Sequence, residues 1–156
     1  MRGRPYVAVV GPGSCDDAQA ALAEEVGRLL AGADAVLVCG GLGGVMEAAC
    51  RGAKREGGTT VGLLPGLDRG DANAYVDVAV PTGLGEARNV LVVRAADAVI
   101  AVGGEFGTLS EIAFALKTAK PVIGLGTWVL PQRPDAILNA GSAKEAVSLA
   151  LAAKLR

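Results

Sequence analysis

The stretch that most limits what this chain can fold into runs from Asp97 to Leu116. An apolar run, Asp97-Ala98-Val99-Ile100-Ala101-Val102, passes through Gly103-Gly104-Glu105-Phe106-Gly107-Thr108-Leu109-Ser110-Glu111 into Ile112-Ala113-Phe114-Ala115-Leu116. A β-rich segment meets a helix former through a glycine-rich turn, which predicts strand, tight loop and helix. The three glycines let the backbone approach a ligand closely, and the first turn of the helix presents unpaired N–H groups with partial positive charge. That arrangement predicts an anion site, with phosphate as the expected anion. No Lys follows the glycines as in a P-loop and there is no full G-x-G-x-x-G, so the phosphate reading rests on turn geometry.

The pattern recurs along the chain. Tyr6-Val7-Ala8-Val9-Val10 predicts a first strand, and Gly11-Pro12-Gly13-Ser14 a turn into a helix from Asp16 to Leu30, with Ser14 and Asp17 as its N-cap pair. Ala35-Val36-Leu37-Val38-Cys39 predicts a second strand, closed by Gly40-Gly41-Leu42-Gly43-Gly44 before a helix from Val45 to Lys54. Thr59 to Leu64 reads as a third strand, and the polar segment 67–74 as the one long loop, a lid or binding loop. A short strand at Val76 to Val80 leads through Pro81-Thr82-Gly83 into a helix holding Glu86, Arg88 and Asn89. Pro121 to Leu125 is a sixth strand, 128–139 is irregular, and Ser142 with Glu145 opens a closing helix as a capping box.

Strands alternating with helices predict one Rossmann-like, doubly wound α/β domain over residues 1–156, with a mostly parallel sheet and helices on both faces. The composition agrees: 51% apolar but 3% aromatic residues means a core of Ala, Val, Leu and Ile, suited to a buried parallel sheet. Such folds bind ligands beyond the carboxyl ends of the strands, where strand order reverses. The turns at Gly11, Gly40 and Gly103 and the segment 83–89 would share that edge.

Several functions are disfavoured. With 15 Lys+Arg against 16 Asp+Glu there is no basic footprint for nucleic acid and no polybasic membrane anchor. Apolar runs stop well short of a membrane span, and Met1-Arg2-Gly3-Arg4 leads into a strand rather than a signal peptide, so a cytoplasmic location is expected. The chain has no His, which removes Ser-His-Asp and Cys-His chemistry and His-based metal sites; no metal site is expected. Cys15, Cys39 and Cys50 show no C-x-x-C spacing and read as buried thiols rather than disulfides.

Three features carry the candidate chemistry. Thr108-x-x-Glu111 reads either as a capping box or as a site, and the glycine loop before it, which a plain helix start does not need, favours the site. Gly40-Gly41 with Gly43-Gly44 exceeds what a tight turn requires and reads as ligand approach. Arg88 opens a helix whose macrodipole opposes a cation there, so it is placed to meet an anion.

These residues carry a resemblance. Gly103 to Glu111 resembles the P-G-G-x-G-T-x-x-E motif of the Lonely Guy family, phosphoribohydrolases often labelled lysine-decarboxylase-like. Gly40-Gly41-Leu42-Gly43-Gly44-Val45-Met46 is similar to its G-G-x-x-G-L-M turn, and Arg88 falls at its M-x-x-R-K arginine. The chain most resembles the shorter branch that includes the molybdenum-cofactor carrier protein. Val102 stands for the motif's Pro and Asn89 for its Lys.

The resemblance implies a Rossmann-like fold, a catalytic pair Arg88 and Glu111, and a nucleoside 5′-monophosphate whose N-glycosidic bond is cleaved. Glu111 would stabilise an oxocarbenium-like sugar or position water. The implied phosphate and nucleotide contacts are Gly11, Ser14, Gly40, Gly41, Gly43, Gly44, Met46, Asn89, Gly103, Gly104, Gly107 and Thr108. The alternative is a carrier or sensor of a phosphorylated cofactor without turnover. No cofactor is required on the first reading; the bound molecule is an AMP-like nucleotide or a molybdenum cofactor. DNA binding and PLP-dependent decarboxylation have little support in the residues. The expected assembly is a homodimer or higher oligomer through the apolar segments Val90 to Val93 and Ile112 to Leu116.

Overall fold

In the computed structural model, which describes residues 3–153, strands and helices alternate in chain order. They are β1 (Tyr6–Val10), α1 (Asp17–Gly32), β2 (Val36–Cys39), α2 (Val45–Arg55), β3 (Thr59–Leu64), β4 (Val78–Pro81), α3 (Arg88–Ala95), β5 (Ala98–Val102), α4 (Phe106–Lys117), β6 (Val122–Leu125), β7 (Leu138–Asn139) and α5 (Ala143–Ala152). Short 3-10 turns at Arg69–Asp71 and Gly85–Ala87 interrupt the loops before β4 and α3. The leader reading at Met1 and Arg2 lies outside the described residues.

The sheet order is β4-β3-β2-β1-β5-β6-β7, and every pairing is parallel rather than mostly so. The chain winds outward from β1 to β4, then returns to the other side of β1 to begin β5. The order therefore reverses between β1 and β5, where Val9 pairs with Ile100 and Val10 with Ala101. Alternation along the strands divides the core. Val7, Val9, Leu37, Ile100 and Val102 pack with α1, α2 and α5, while Ala8, Val10, Val38, Val99 and Ala101 pack with α3 and α4. Among the described residues no helix is long and apolar enough to cross a membrane.

Where α1 crosses α2, two glycines replace side chains. A Cβ on Gly27 would collide with the Ala49 carbonyl, and one on Gly52 with the Glu24 carbonyl. The helices therefore meet backbone to backbone, and Arg51 (2.9 Å) and Arg55 clamp Glu24 across the crossing. The opposite layer is held differently: Lys120 donates to the carbonyls of Val93 (2.7 Å), Arg94 (2.8 Å) and Ala96, meeting the negative end of α3.

Two local expectations change. Asp16, not Ser14, is the N-cap of α1: its side chain accepts from Gln19 N–H at 2.8 Å while Gln19 Oε1 accepts from Asp16 N–H at 3.3 Å. The reciprocal pair favours Asp16 because Gln at its third helical position can answer it, which Asp17 cannot do for Ser14. The irregular stretch 128–139 contains the two-residue β7. Within the apolar segments on α3 and α4, Val92, Val93, Ile112 and Ala115 are buried against the sheet, Val90, Phe114 and Leu116 are half-buried, and Leu91 is 37% exposed.

Placing Ala at Gly52 should lower stability by about 3 kcal/mol, because the added methyl meets a carbonyl on the partner helix rather than a pliable side chain. Ala at Gly32, the exposed last residue of α1 with nothing within 4 Å of its Cβ position, should raise it by about 0.5 kcal/mol. Urea melts of the two variants check both signs.

Candidate functional site

A cleft of about 320 Å³ opens beyond the carboxyl ends of β1, β2 and β5, at the point of strand-order reversal. Gly11, Gly40, Met46, Arg88, Asn89, Gly107, Thr108 and Glu111 line it, so residues from four separate stretches of sequence converge there. Pro12, Gly13, Leu42, Pro65, Glu86 and Glu105 also line it and were not singled out; Glu105 lies inside the glycine motif itself, which was the available signal.

Arg88 is the first residue of α3 and only 8% exposed. Its Nε donates to the Leu63 carbonyl at 2.8 Å, Nη2 to the Gly40 carbonyl at 3.5 Å, and Nη1 to Asn89 Oδ1. The carbonyls at the ends of β3 and β2 thus offset the unfavourable placing of a cation at a helix start. Asn89, where the phosphoribohydrolase motif has Lys, acts as a bracket. Its Nδ2 donates to Ser110 Oγ at 3.2 Å, and Ser110 Oγ donates to the Gly107 carbonyl at 2.6 Å. A hydrogen-bonded line therefore runs from Arg88 to the first turn of α4.

That turn starts earlier than the capping-box reading assumed. Glu105, in extended backbone, is the N-cap, and the hydroxyl of Thr108 accepts from its N–H at 3.4 Å. Thr108 is the third helical residue, and Glu111 lies a turn further in, away from the N-cap. Thr108, Glu111, Ile112 and Ala115 form the buried stripe of α4. Glu111 is 9% exposed, and among the described residues no side chain donates a hydrogen bond to it. Burial pushes its carboxyl up to about 8, against the opposing pull of the Arg88 guanidinium. Near neutral pH Glu111 is thus mainly a carboxylic acid, able to donate a proton or a hydrogen bond, rather than the anion expected to face a sugar cation.

The other candidates support the cleft from outside it. Gly41 (φ +80°) and Gly44 (φ +62°) adopt left-handed backbone, and a Cβ on Gly44 would strike the Pro12 carbonyl. Gly43 faces the Gly13 carbonyl, and Gly103 sits beside the Gln19 amide. A Cβ on Gly104 would stand 2.7 Å from the Trp128 ring, whose Nε1 donates to the Glu105 carbonyl at 3.2 Å. Gly104 thus makes room for a tryptophan. Ser14 is exposed and absent from the cleft lining.

The loop 67–74 does not line the cleft but braces it: Asn73 donates through its backbone N–H to the Gly41 carbonyl (2.9 Å) and through Nδ2 to the Leu42 carbonyl (2.8 Å). Behind the same turn the sulfurs of Cys39 and Cys50, both buried, stand 3.6 Å apart as free thiols, and Cys39 Sγ accepts from Gly41 N–H at 3.3 Å. Cys15 is half-buried rather than buried. Among the described residues no group of three or more His, Cys, Asp or Glu side chains is placed to hold a metal ion.

With this geometry in view, the comparisons decide the family. The model of the SLOG cluster4 family matches residues 4–154. The chain belongs to the SLOG cluster4 family. A relative from Archaeoglobus fulgidus, described as an uncharacterized protein, is 47% identical over 119 residues, covering 76% of this chain and 78% of its own. Among solved structures, the molybdenum cofactor binding protein of Rippkaea orientalis is 36% identical, with a TM-score of 0.92 and 100% of both chains covered. The molybdenum cofactor carrier protein of Chlamydomonas reinhardtii is 33% identical, with a TM-score of 0.87 and coverage of 99% of this chain and 100% of its own. The resemblance to the Lonely Guy superfamily, in its carrier-like branch, therefore stands.

The placement of Glu111 predicts a pH signature. Its folded pKa of about 8 lies above the ordinary 4.5, so between those values the native state holds a proton that the unfolded chain has released. Stability lost on ionising Glu111 therefore accumulates as pH rises through this window. Glu111→Gln should gain in melting temperature relative to the parent from pH 5 to pH 9. A gap independent of pH would mean a solvated, ordinary carboxylate.

Proposed function

We propose that this chain is a binding or carrier protein for a phosphorylated cofactor of the molybdenum-cofactor class, and that the phosphate sits on the first turn of α4 beside Arg88. The observation that carries this reading is the likeness to carrier proteins over essentially the whole of both chains, together with a cleft at the strand-order reversal. The chemistry of the cleft suits the task. Helix-start N–H groups and one fixed guanidinium meet a phosphate, while a neutral Glu111 adds a donor instead of a repelling charge. Asn89 locks Arg88 in place where a lysine would add a second, mobile cation.

Calorimetric titration of the purified chain with isolated molybdenum cofactor tests the reading. One cofactor bound per chain is the expected result. Arg88→Lys keeps the charge but loses the planar fork, so affinity should fall about tenfold or more while the melting curve shows a folded protein. Failure of the parent to bind the cofactor overturns the carrier reading.

One observation favours a second reading, cleavage of the N-glycosidic bond of a nucleoside 5′-monophosphate: Glu111 is a buried, protonated acid beside a phosphate-competent arginine. In that role it protonates the leaving base, a different part from charge stabilisation of the sugar. Base release from a panel of nucleoside monophosphates, followed by chromatography, separates the readings. The enzyme reading requires release by the parent and a loss of about 10²-fold or more in Glu111→Gln. No release across the panel, with cofactor binding intact, leaves the carrier.

A further inference from the structure

The cleft does not end at α4. A second hollow, a groove of about 410 Å³ between α3 and α4, shares Glu86, Asn89 and Gly107 with it and is bordered beyond them by Val90, Phe106 and Phe114. The two spaces are therefore neighbours across the helix turn that would hold the anion, and the second carries two aromatic side chains where the first has none. Both phenylalanines of the chain and its single tryptophan gather here. Phe106 is 79% exposed, with its ring 5.8 Å from that of Trp128 and tilted by 32°.

Phe106 has no evident part in the fold. It is the first residue of α4, a position that tolerates most side chains, and it buries little of its ring. In a chain that builds its core almost without aromatics, a large exposed ring beside an anion site calls for a ligand-side explanation. A phosphate ester held at the α4 turn extends from that point. Gly107 lines both hollows and Phe106 is its chain neighbour, so the ring stands next to the turn from which such an ester would extend.

We infer that the groove between α3 and α4 receives the planar ring of the ligand, a fused bicyclic heteroaromatic such as a purine or a pterin, stacked on Phe106. This inference rests on the reading of the cleft as a phosphate site. The groove supplies a ring face, the apolar flank of Val90 and polar groups at Glu86 and Asn89 against which ring nitrogens and exocyclic groups can hydrogen-bond. Phe106 thus selects among phosphorylated ligands by what they carry beyond the phosphate.

The test compares ligands with and without a ring on the full chain. Ribose 5-phosphate, AMP and isolated molybdenum cofactor are titrated by calorimetry into the parent, Phe106→Ala and Phe106→Tyr. For at least one ring-bearing ligand, Phe106→Ala should weaken binding about tenfold, the order expected for one lost ring-on-aromatic contact. Ribose 5-phosphate affinity should stay unchanged, and Phe106→Tyr should restore the ring-bearing ligand. Loss confined to AMP names a purine, and loss confined to the cofactor names a pterin.

Equal losses for ribose 5-phosphate and the ring-bearing ligands overturn the inference, since Phe106 would then support the anion turn itself. Unchanged affinities throughout overturn it as well. So does dissociation of an oligomer in Phe106→Ala with ligand affinity intact, which gives the groove to a second copy. Binding of ribose 5-phosphate alone rejects the ring subsite while sparing the phosphate cleft. Binding of none of the three removes the phosphate reading and this inference together.

Discussion

A guanidinium can leave water only where its N–H groups find acceptors, and the site is assembled around that requirement. Arg88 reaches the Leu63 and Gly40 carbonyls only because Gly40 has no side chain: a Cβ there would lie 2.6 Å from Nη2. The ends of β2 and β3, the start of α3 and, through Asn89 and Ser110, the start of α4 are thereby tied to one cation. A buried charge held by several partners is costly to disturb, because every partner removed leaves another buried polar group unpaired. Arg88 is therefore as much a part of the architecture as of the candidate chemistry.

The electrostatics of the cleft follow from the same placement. Glu86, Glu105 and Glu111 border a space that contains one arginine, an unpromising balance for an anion if all three carboxylates were charged. Depth separates them. Glu86 and Glu105 are exposed, whereas Glu111 lies on the buried stripe of α4. Desolvation favours the protonated form of Glu111, so the buried one of the three carboxyls adds little repulsion to an anion in the cleft.

Much of this was legible in the sequence, because apolar runs ended by glycine fix where parallel strands stop and where their ligand edge lies. The strands β1 and β3 have the expected limits, and Gly11, Gly40, Arg88, Gly107 and Glu111 meet in one cleft. Sequence spacing failed where two local devices compete. Ser14 and Asp16 can each begin α1, and a reciprocal partner at Gln19 decides for Asp16. Thr108-x-x-Glu111 has capping-box spacing, yet the helix begins at Phe106, which turns Glu111 from a cap into a buried acid. Long-range contacts left no local trace: neither Gly104 against Trp128 nor Cys39 against Cys50 can be read from spacing.

The backbone contact of α1 with α2 has a mechanical consequence. Two helices that touch through Gly27 and Gly52, with no side chain between them to change rotamer, have no cheap way to slide or separate. The face of the sheet they cover behaves as a rigid floor, and the Gly40 to Gly44 turn that enters α2 inherits that rigidity. The opposite face is built on an eight-residue α3 anchored at its two ends by Arg88 and Lys120, whose border with α4 packs Val92, Val93, Ile112 and Ala115 inside and opens as a groove outside. Room for a guest is therefore one-sided: the α3 and α4 face has an open groove, and the α1 and α2 crossing has no side chain that could give way.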